Sequence, residues 1–512
     1  MLCLDKKNIL YLLGCLFMMD LKATIPAKQL IEQGSLRKFW KKAFSRFLIF
    51  AEKYFGSMLL LEIPAHLQNI DPEMYKAVDS AFELKRLGLI EEVRELPRFP
   101  DEPFFFRYAS FPPRVNSGGA DLLSRKNALW KTIGETTERN LWYHSNYFFT
   151  NSLQQTSYEK VKKSAVDIFQ LAGFSKEQKN EFDFLSFDEK TVFGWLPARS
   201  VVSGEKKWCP AQLVSSFYFG RNVKTSKNDT RKEPMLRWAI TTGLATGQSL
   251  EEAVTKGILE VIERDAFMIS YLNKLSLPVV DLEDLAEQDN DLQNIIRSLK
   301  RYRLEVYFVR LLTDFPVHAY LSIIIDRTGL GPAVAVGAST DFDLKKCLTD
   351  ALSESLSVRM SLKNSLGVEN QPLEKLDRRG RLRFWAQSEN VTKIDFFLQG
   401  PKIKLGIAKN NSFFKKYKLE QKSFRRAYYK KKLGILKSEL KRKKHEACWA
   451  ELTDPDTKKL GFRCVQVVIP QLQPMHLYEA VPYFSGKRLK EVPKKFGYDP
   501  LEQINQAPHP FP

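Results

Sequence analysis

One five-residue pattern occurs twice in this chain, as Glu135-Thr136-Thr137-Glu138-Arg139 and as Glu260-Val261-Ile262-Glu263-Arg264. Each copy lies in a stretch with helical periodicity, and the i, i+3 spacing puts both carboxylates of a pair on one helical face. Carboxylates so placed repel one another unless a positive group sits between them. A divalent cation is the natural occupant, because Mg2+ prefers hard carboxylate oxygens and keeps phosphates and water in its remaining positions. A single ExxE reads most simply as a solvated charged face. Recurrence of the whole ExxER pattern weakens that reading.

The second copy defines a helix in some detail. Ser249 with Glu252 three residues on is a capping box, and Val254, Ile258, Val261 and Ile262 form an apolar stripe. Glu252, Lys256, Glu260 and Glu263 run opposite it. A third predicted helix, near Lys346 to Arg359, repeats the polar spacing with Lys346, Asp350, Glu354 and Ser357, while Ala351, Leu352, Leu356 and Val358 face the core. Three related helices are expected to enclose one polar cavity. Before the second helix, Thr241-Thr242-Gly243-Leu244-Ala245-Thr246-Gly247 supplies small residues and flexible backbone leading into a helix N-terminus, a favourable place for an anionic group.

Between these helices the chain turns β-rich, over Leu304 to Leu312, His318 to Asp326 and Pro332 to Ala338, and again over Phe462 to Ile469. The fold class is therefore α+β, a mixed α/β architecture with the ExxER helices lining a polar cavity. Four regions are expected. Residues 1–80 form a helical extension with a basic face of Arg37, Lys38, Lys41, Lys42 and Arg46, suited to docking a partner. Residues 81–364 form the body, 365–450 a basic insertion, and 451–512 the return to the body, ending in the extended tail Ala507-Pro508-His509-Pro510-Phe511-Pro512.

The chain carries a formal net charge of +20, and one segment supplies most of the excess: the cations from Lys402 to Lys444 are opposed only by Glu420, Glu439 and Glu446. With Phe413, Phe414, Tyr417, Phe424, Tyr428 and Tyr429 interleaved, this stretch supports a rival reading as a nucleic-acid or ribosome-binding element. The plainer reading is a solvated basic helix pair, and binding of an acidic leader peptide is a third use. The six cysteines show no CxxC or Cys/His spacing, so reduced thiols are the simplest reading. The apolar run from Asn8 to Met19 is well short of the ~20 residues that span a bilayer. Leu12-Leu13-Gly14-Cys15 loosely resembles a lipoprotein cleavage box, against which stand a true start at Met18 or Met19 and a buried N-terminal helix. No membrane association is expected, and the cytoplasm is the expected location. The absence of GxxxxGK[ST], of GxGxxG after a strand, of HExxH and of GxSxG leaves P-loop, Rossmann, metalloprotease and α/β-hydrolase chemistry unsupported.

The stretch from Gly243 through Glu260, Glu263 and Arg264 to Ala266 resembles the signature of the YcaO family. The segment from Glu135 to Arg139 resembles the family's earlier helix, Ala351 to Arg359 its later one, and Arg488 to Pro512 the C-terminal portion of its azoline-forming cyclodehydratases. The similarity covers residues of about 80 to 360 and 455 to 512. It implies an ATP site without a P-loop, in which Glu135, Glu138, Glu260 and Glu263 hold Mg2+ and Arg139, Arg264 and Glu354 contact the nucleotide. Lys131 stands where the family often has Ser, Thr242 where Asn is common, and Ser357 where Gln is common.

The implied activity is ATP-dependent cyclodehydration: a Cys, Ser or Thr side chain of a ribosomal precursor peptide attacks the preceding amide, whose oxygen is phosphorylated and leaves, giving a thiazoline or oxazoline. Thioamide and amidine formation are the family's related outcomes. Such enzymes tend to need an E1-like partner with a leader-peptide-binding module, and an extension of about 80 residues is too short to contain both. A separate partner protein is expected, and a homodimer stays open. The PxPxP-like ending makes His509 and the terminal carboxylate of Pro512 the candidate proton-moving groups, with a rigid docking arm as the alternative.

Overall fold

The computed structural model describes residues 71–97, 99–111, 116–144, 152–226, 228–363, 378–407, 422–479 and 481–511. The chain divides into two units, Met1–Tyr75 and Lys76–Pro512. The expected N-terminal extension, with its basic face and with Cys3 and Cys15, lies almost wholly outside the described residues.

In the second unit the strands form three sheets. The first is antiparallel, in the order β1 (Glu92–Glu95), β2 (Phe106–Phe111), β3 (Ser117–Asp121). A six-stranded sheet runs β4 (Gln154–Ser157), β5 (Val192–Ser200), β13 (Cys448–Glu451), β14 (Arg463–Val468), β7 (Leu244–Gly247), with β6 (Lys206–Pro210) also paired to β5. A five-stranded sheet runs β11 (Val334–Asp341), β10 (His318–Asp326), β9 (Leu304–Arg310), β8 (Val279–Val280), β12 (Lys402–Ile403). The last three strands expected in the body and the late strand near Phe462 thus all form, within a few residues of their expected bounds. β10 and β11 are buried along nearly their whole length because both faces are covered, which is why their sequences read as apolar runs without alternation.

Each sheet carries one long helix. α1 (Arg125–His144) packs on β2 and β3 and reaches β7; α2 (Leu250–Leu272) packs on β7 and β14 and reaches β11; α3 (Leu344–Lys363) packs on β10 and β11 and reaches β3. Every helix therefore touches its own sheet and a neighbour's, and their polar faces converge. Gly337 in β11 makes the closest of these approaches possible: a Cβ there would lie 2.4 Å from the backbone N of Ser355 in α3.

Described residues of the basic segment expected over 365–450 pack on the body. β12 pairs in parallel with β8 through Lys402↔Val279 and Ile403↔Val280. The short helix Arg378–Trp385 buries Arg381 and Trp385. α4 (Lys422–Arg442) lays Leu433, Leu436 and Leu440 against Val254 and Ile258 of α2 and Val465 and Val467 of β14. These leucines recur at i, i+3, i+7, so α4 is amphipathic, and each fully buried leucine contributes about 1.5–3 kcal/mol.

Candidate functional site

The glutamates of the three helices are held by backbone amides of the strands beneath them. Gly118 N of β3 donates to Glu135 at 3.0 Å, Thr246 N of β7 to Glu138 at 2.6 Å, Gly243 N to Glu260 at 3.0 Å, and Ala338 N of β11 to Glu354 at 2.9 Å. Glu263 packs beside them, buried, with Arg264 Nη1 at 2.9 Å. The second nitrogen of that guanidinium is 3.7 Å from Glu260, and Arg139 pairs with Glu135 at 2.5 Å. All seven residues carried over from the sequence are thus brought to one place.

Burial and mutual repulsion dominate their electrostatics. Burial pushes the Glu138 carboxyl up to about 8, with Glu260 and Glu135 adding repulsion. Burial likewise lifts Glu260 to about 7 against the opposing pull of Arg264. Burial raises Glu263 and Glu354 too, and here again Arg264 offsets part of it. Like charges in a shared low-dielectric site raise one another's pKa, and an added cation reverses the shift.

Among the described residues the one trio of ligand-type side chains within 4.8 Å of one another is His476, Glu479 and His509, not the glutamates. That spacing fits Mg2+ with a nucleotide, because Mg2+ usually takes one or two carboxylates plus substrate phosphates rather than an all-protein cage. The His476 trio fits a cation less well. Glu479 is already bonded to Arg381 at 3.2 Å, so a dication would add charge to a buried guanidinium.

The segment expected to form an anion-binding turn does something else. Leu244–Gly247 is strand β7, its Thr246 and the preceding Gly243 used to hold Glu138 and Glu260. Gly243 sits at φ +87°, and a Cβ there would meet the Val467 carbonyl at 2.3 Å, so the turn into β7 requires glycine. The N-terminus of α2 is occupied by the chain itself: Ser249 Oγ accepts from Glu252 N at 3.2 Å. The other half of the expected box is rebuilt, since the Glu252 carboxylate accepts from Gln248 N at 3.2 Å and from Arg425 at 2.6 and 2.8 Å. Burial would raise the Glu252 pKa, but Lys256 and Arg425 outweigh it and bring it down to about 2.

The departures at Lys131 and its surroundings have a structural counterpart. Lys131 lies one turn before Glu135 and bonds Asp350 at 2.8 Å, Asp121 at 3.0 Å and the Ala120 carbonyl at 2.9 Å, joining α1 to α3. Asp350 is also bonded to Lys346, and the two lysines hold it well below the usual carboxylate range despite burial. The Thr242 carbonyl accepts from Gln466 Nε2 at 2.7 Å.

The C-terminal tail docks onto the same helix. Phe511 is fully buried, its ring 5.0 Å from Phe267 and 3.9 Å from the Arg264 guanidinium carbon. His509 is fully buried as well, and its Nε2 donates to the His476 carbonyl at 2.8 Å. Burial, Arg381 and His476 keep its pKa well below the ordinary histidine value. In this geometry His509 packs as a buried part of the docked tail. Pro512 lies outside the described residues.

Sequence reasoning missed Arg425, Tyr271, Trp385 and Arg381. Tyr271 falls at i+7 from Arg264 on a helix already defined, which was the available signal; the other three carry no local pattern.

The chain was compared with known proteins. A family model described as YcaO cyclodehydratase, ATP- and Mg2+-binding, matches residues 122–473. Among solved structures the chain is similar to a heterocyclase in complex with substrate and cofactor, at TM-score 0.67 and 18% identity, covering 86% of this chain and 57% of that one. It is similar to a YcaO protein of Methanopyrus kandleri bound with AMPPCP and Mg2+, at TM-score 0.54 and 15% identity, covering 82% and 95%. It is also similar to the E. coli microcin synthetase McbBCD complex with pro-MccB17 bound, at TM-score 0.52 and 14% identity, covering 74% and 87%. The chain thus spans little more than half the length of the heterocyclase it resembles. At these identities the structural likeness establishes the fold.

Proposed function

Because the chain belongs to the YcaO family of ATP- and Mg2+-binding cyclodehydratases, we propose that it activates a backbone amide of a ribosomally made precursor peptide and closes a Cys, Ser or Thr side chain into an azoline ring. The observation that carries this reading is the set of glutamates on α1, α2 and α3, each pinned by a backbone amide or an arginine. ATP, when bound with Mg2+, supplies the phosphoryl group that turns the amide oxygen into a leaving group.

Glu135, Glu138, Glu260 and Glu263 would hold the metal. Their second role is electrostatic: Glu135 sits close to the Arg139 guanidinium, and Glu260 and Glu263 to that of Arg264, which can stay paired or turn towards phosphate oxygens. Arg139, Arg264 and Glu354 are the proposed nucleotide contacts. Positioning and charge stabilisation are what phosphoryl transfer chiefly requires. The tail brings Phe511 beside Arg264, and the Pro512 carboxylate is the group we assign to proton transfer as the amide is attacked.

The precursor peptide, an E1-like partner that binds its leader, and a cytoplasmic location belong to this proposal. No described helix is long and apolar enough to cross a membrane. The nucleic-acid reading is not favoured: Arg425, Arg426 and Lys432 of α4, and Lys443 just after it, are engaged by Glu252, Glu251, Asp341 and Asp314.

Co-expression with the short Cys/Ser/Thr-rich peptide encoded beside the gene, followed by mass spectrometry, tests the reaction. Loss of one water per ring is the expected result. Exchange of oxygen for sulfur without ring closure would assign the chain to thioamide formation instead.

A further inference from the structure

Arg264, Phe267 and Tyr271 stand at i, i+3 and i+7 on α2 and share one face. The C-terminal tail runs back along that face, from Asn505, whose N–H donates to the Leu272 carbonyl at 2.8 Å, to Phe511 over Arg264. Midway, two buried side chains from different elements converge on one acceptor: the Tyr271 hydroxyl and the Trp385 indole N–H both donate to the Pro508 carbonyl at 2.8 Å. A carbonyl oxygen has two lone pairs, so this one is saturated.

We propose that Tyr271 and Trp385 are positioning residues: they latch the tail at Pro508 and thereby hold Phe511 against Arg264, coupling tail docking to nucleotide binding. The inference rests on the reading of Arg264 as a nucleotide contact. Pro510 fixes one of the few torsions between the latched Pro508 carbonyl and Phe511, which limits the slack between them. Neither Nε nor Nη1 of Arg264 makes a hydrogen bond; Nη1 lies 2.9 Å from Glu263 and Nη2 3.7 Å from Glu260 as ion pairs. The Phe511 ring, 3.9 Å away, packs on the face of the guanidinium, and a guanidinium stacked on a ring is held in its plane. Coupling of this kind is reciprocal: what orders the tail strengthens the nucleotide site, and a bound nucleotide orders the tail.

The test uses the full chain with Mg2+ and the non-hydrolysable analogue AMPPCP, measuring affinity by calorimetry and tail exposure by the rate at which a carboxypeptidase removes C-terminal residues. Tyr271→Phe removes one hydroxyl and keeps the ring, so it is expected to fold; Trp385→Phe is the companion. The loss of one buried hydrogen bond is expected to weaken AMPPCP binding roughly 3- to 10-fold and to speed carboxypeptidase release by a similar factor. Saturating Mg2+ and AMPPCP should slow release from the wild-type chain. In a chain ending at Ala507, Tyr271→Phe should leave affinity unchanged, because there is no tail left to position. Wild-type affinity in Tyr271→Phe overturns the proposal, as does an equal loss in the shortened chain, which would mark a merely structural effect. A wild-type chain that binds no AMPPCP would instead overturn the nucleotide reading, and the latch with it. If Trp385→Phe does not fold, Tyr271→Phe decides alone.

Discussion

The ring of Phe511 lies 3.9 Å from the guanidinium carbon of Arg264, so the last described residue of the chain touches the arginine of the second ExxER motif. Residues 247 positions apart in the sequence thereby share one site (511 − 264).

Glu260→Gln and Glu263→Gln are each expected to abolish ATP turnover while leaving the fold intact. Burial raises the folded-state pKa of Glu260 to about 7 from its ordinary 4.5. The folded protein then binds more protons than the unfolded chain between those values, so this group's favourable contribution is complete below pH ~4.5 and is lost by pH ~7. Glu260→Gln removes that loss, and the metal-free variant should exceed wild type in stability by about 1–3 kcal/mol at pH 8, with little gain at pH 5. Urea denaturation at the two pH values measures it. Unchanged ATP hydrolysis in both variants would remove the metal-holding role.

Gly243→Ala should be more damaging than a small substitution in a turn usually is. The position has φ +87°, and the added Cβ would meet the Val467 carbonyl at 2.3 Å. The αL strain alone costs about 1–2 kcal/mol, and relief requires moving the N–H that holds Glu260. Lower thermal stability together with weakened Mg2+-ATP binding is expected; loss of stability with normal binding would mean the amide does not matter to the site.

Deleting Lys402 to Lys444 should unfold the second unit, because it removes β12 and strips α4 from α2 and β14. Leu436→Ala, at a fully buried position, is expected to cost about 2–5 kcal/mol in chemical denaturation. Substituting the exposed Lys430, Lys441 and Lys444 by Gln should leave stability within about 0.5 kcal/mol. A stable, folded deletion product would restore the picture of a detachable insertion.

Appending two glycines after Pro512 should stop ring formation on the cognate peptide while ATP binding survives, since the latch at Pro508 and the Phe511 contact are untouched. Normal cyclisation by the extended chain would leave the tail as a docking arm only.

The helices and strands of the body were readable in the sequence because their signals are local. The i, i+3 carboxylates, the Ser249 cap and the apolar stripe of α2 all belong to one helix, and β10 and the first half of β11 are largely apolar. The seven candidate residues could be named on motif spacing and resemblance. What holds them was not readable. Gly118, Thr246 and Ala338 contribute backbone amides, which carry no side-chain signature, and they come from three different sheets. The basic run likewise looked solvated because charge dominates its composition, whereas its place in the molecule is set by three leucines and by ion pairs such as Arg425 to Glu252, 173 residues away. His509 was legible as part of a stiff tail, but its burial depends on His476 and Phe267, which only folding brings to it. Local periodicity therefore determined which faces are polar and which residues they present. Long-range packing decided which amides pin them, which cations neutralise them and where the chain ends, because those contacts join residues whose separation leaves no period to read.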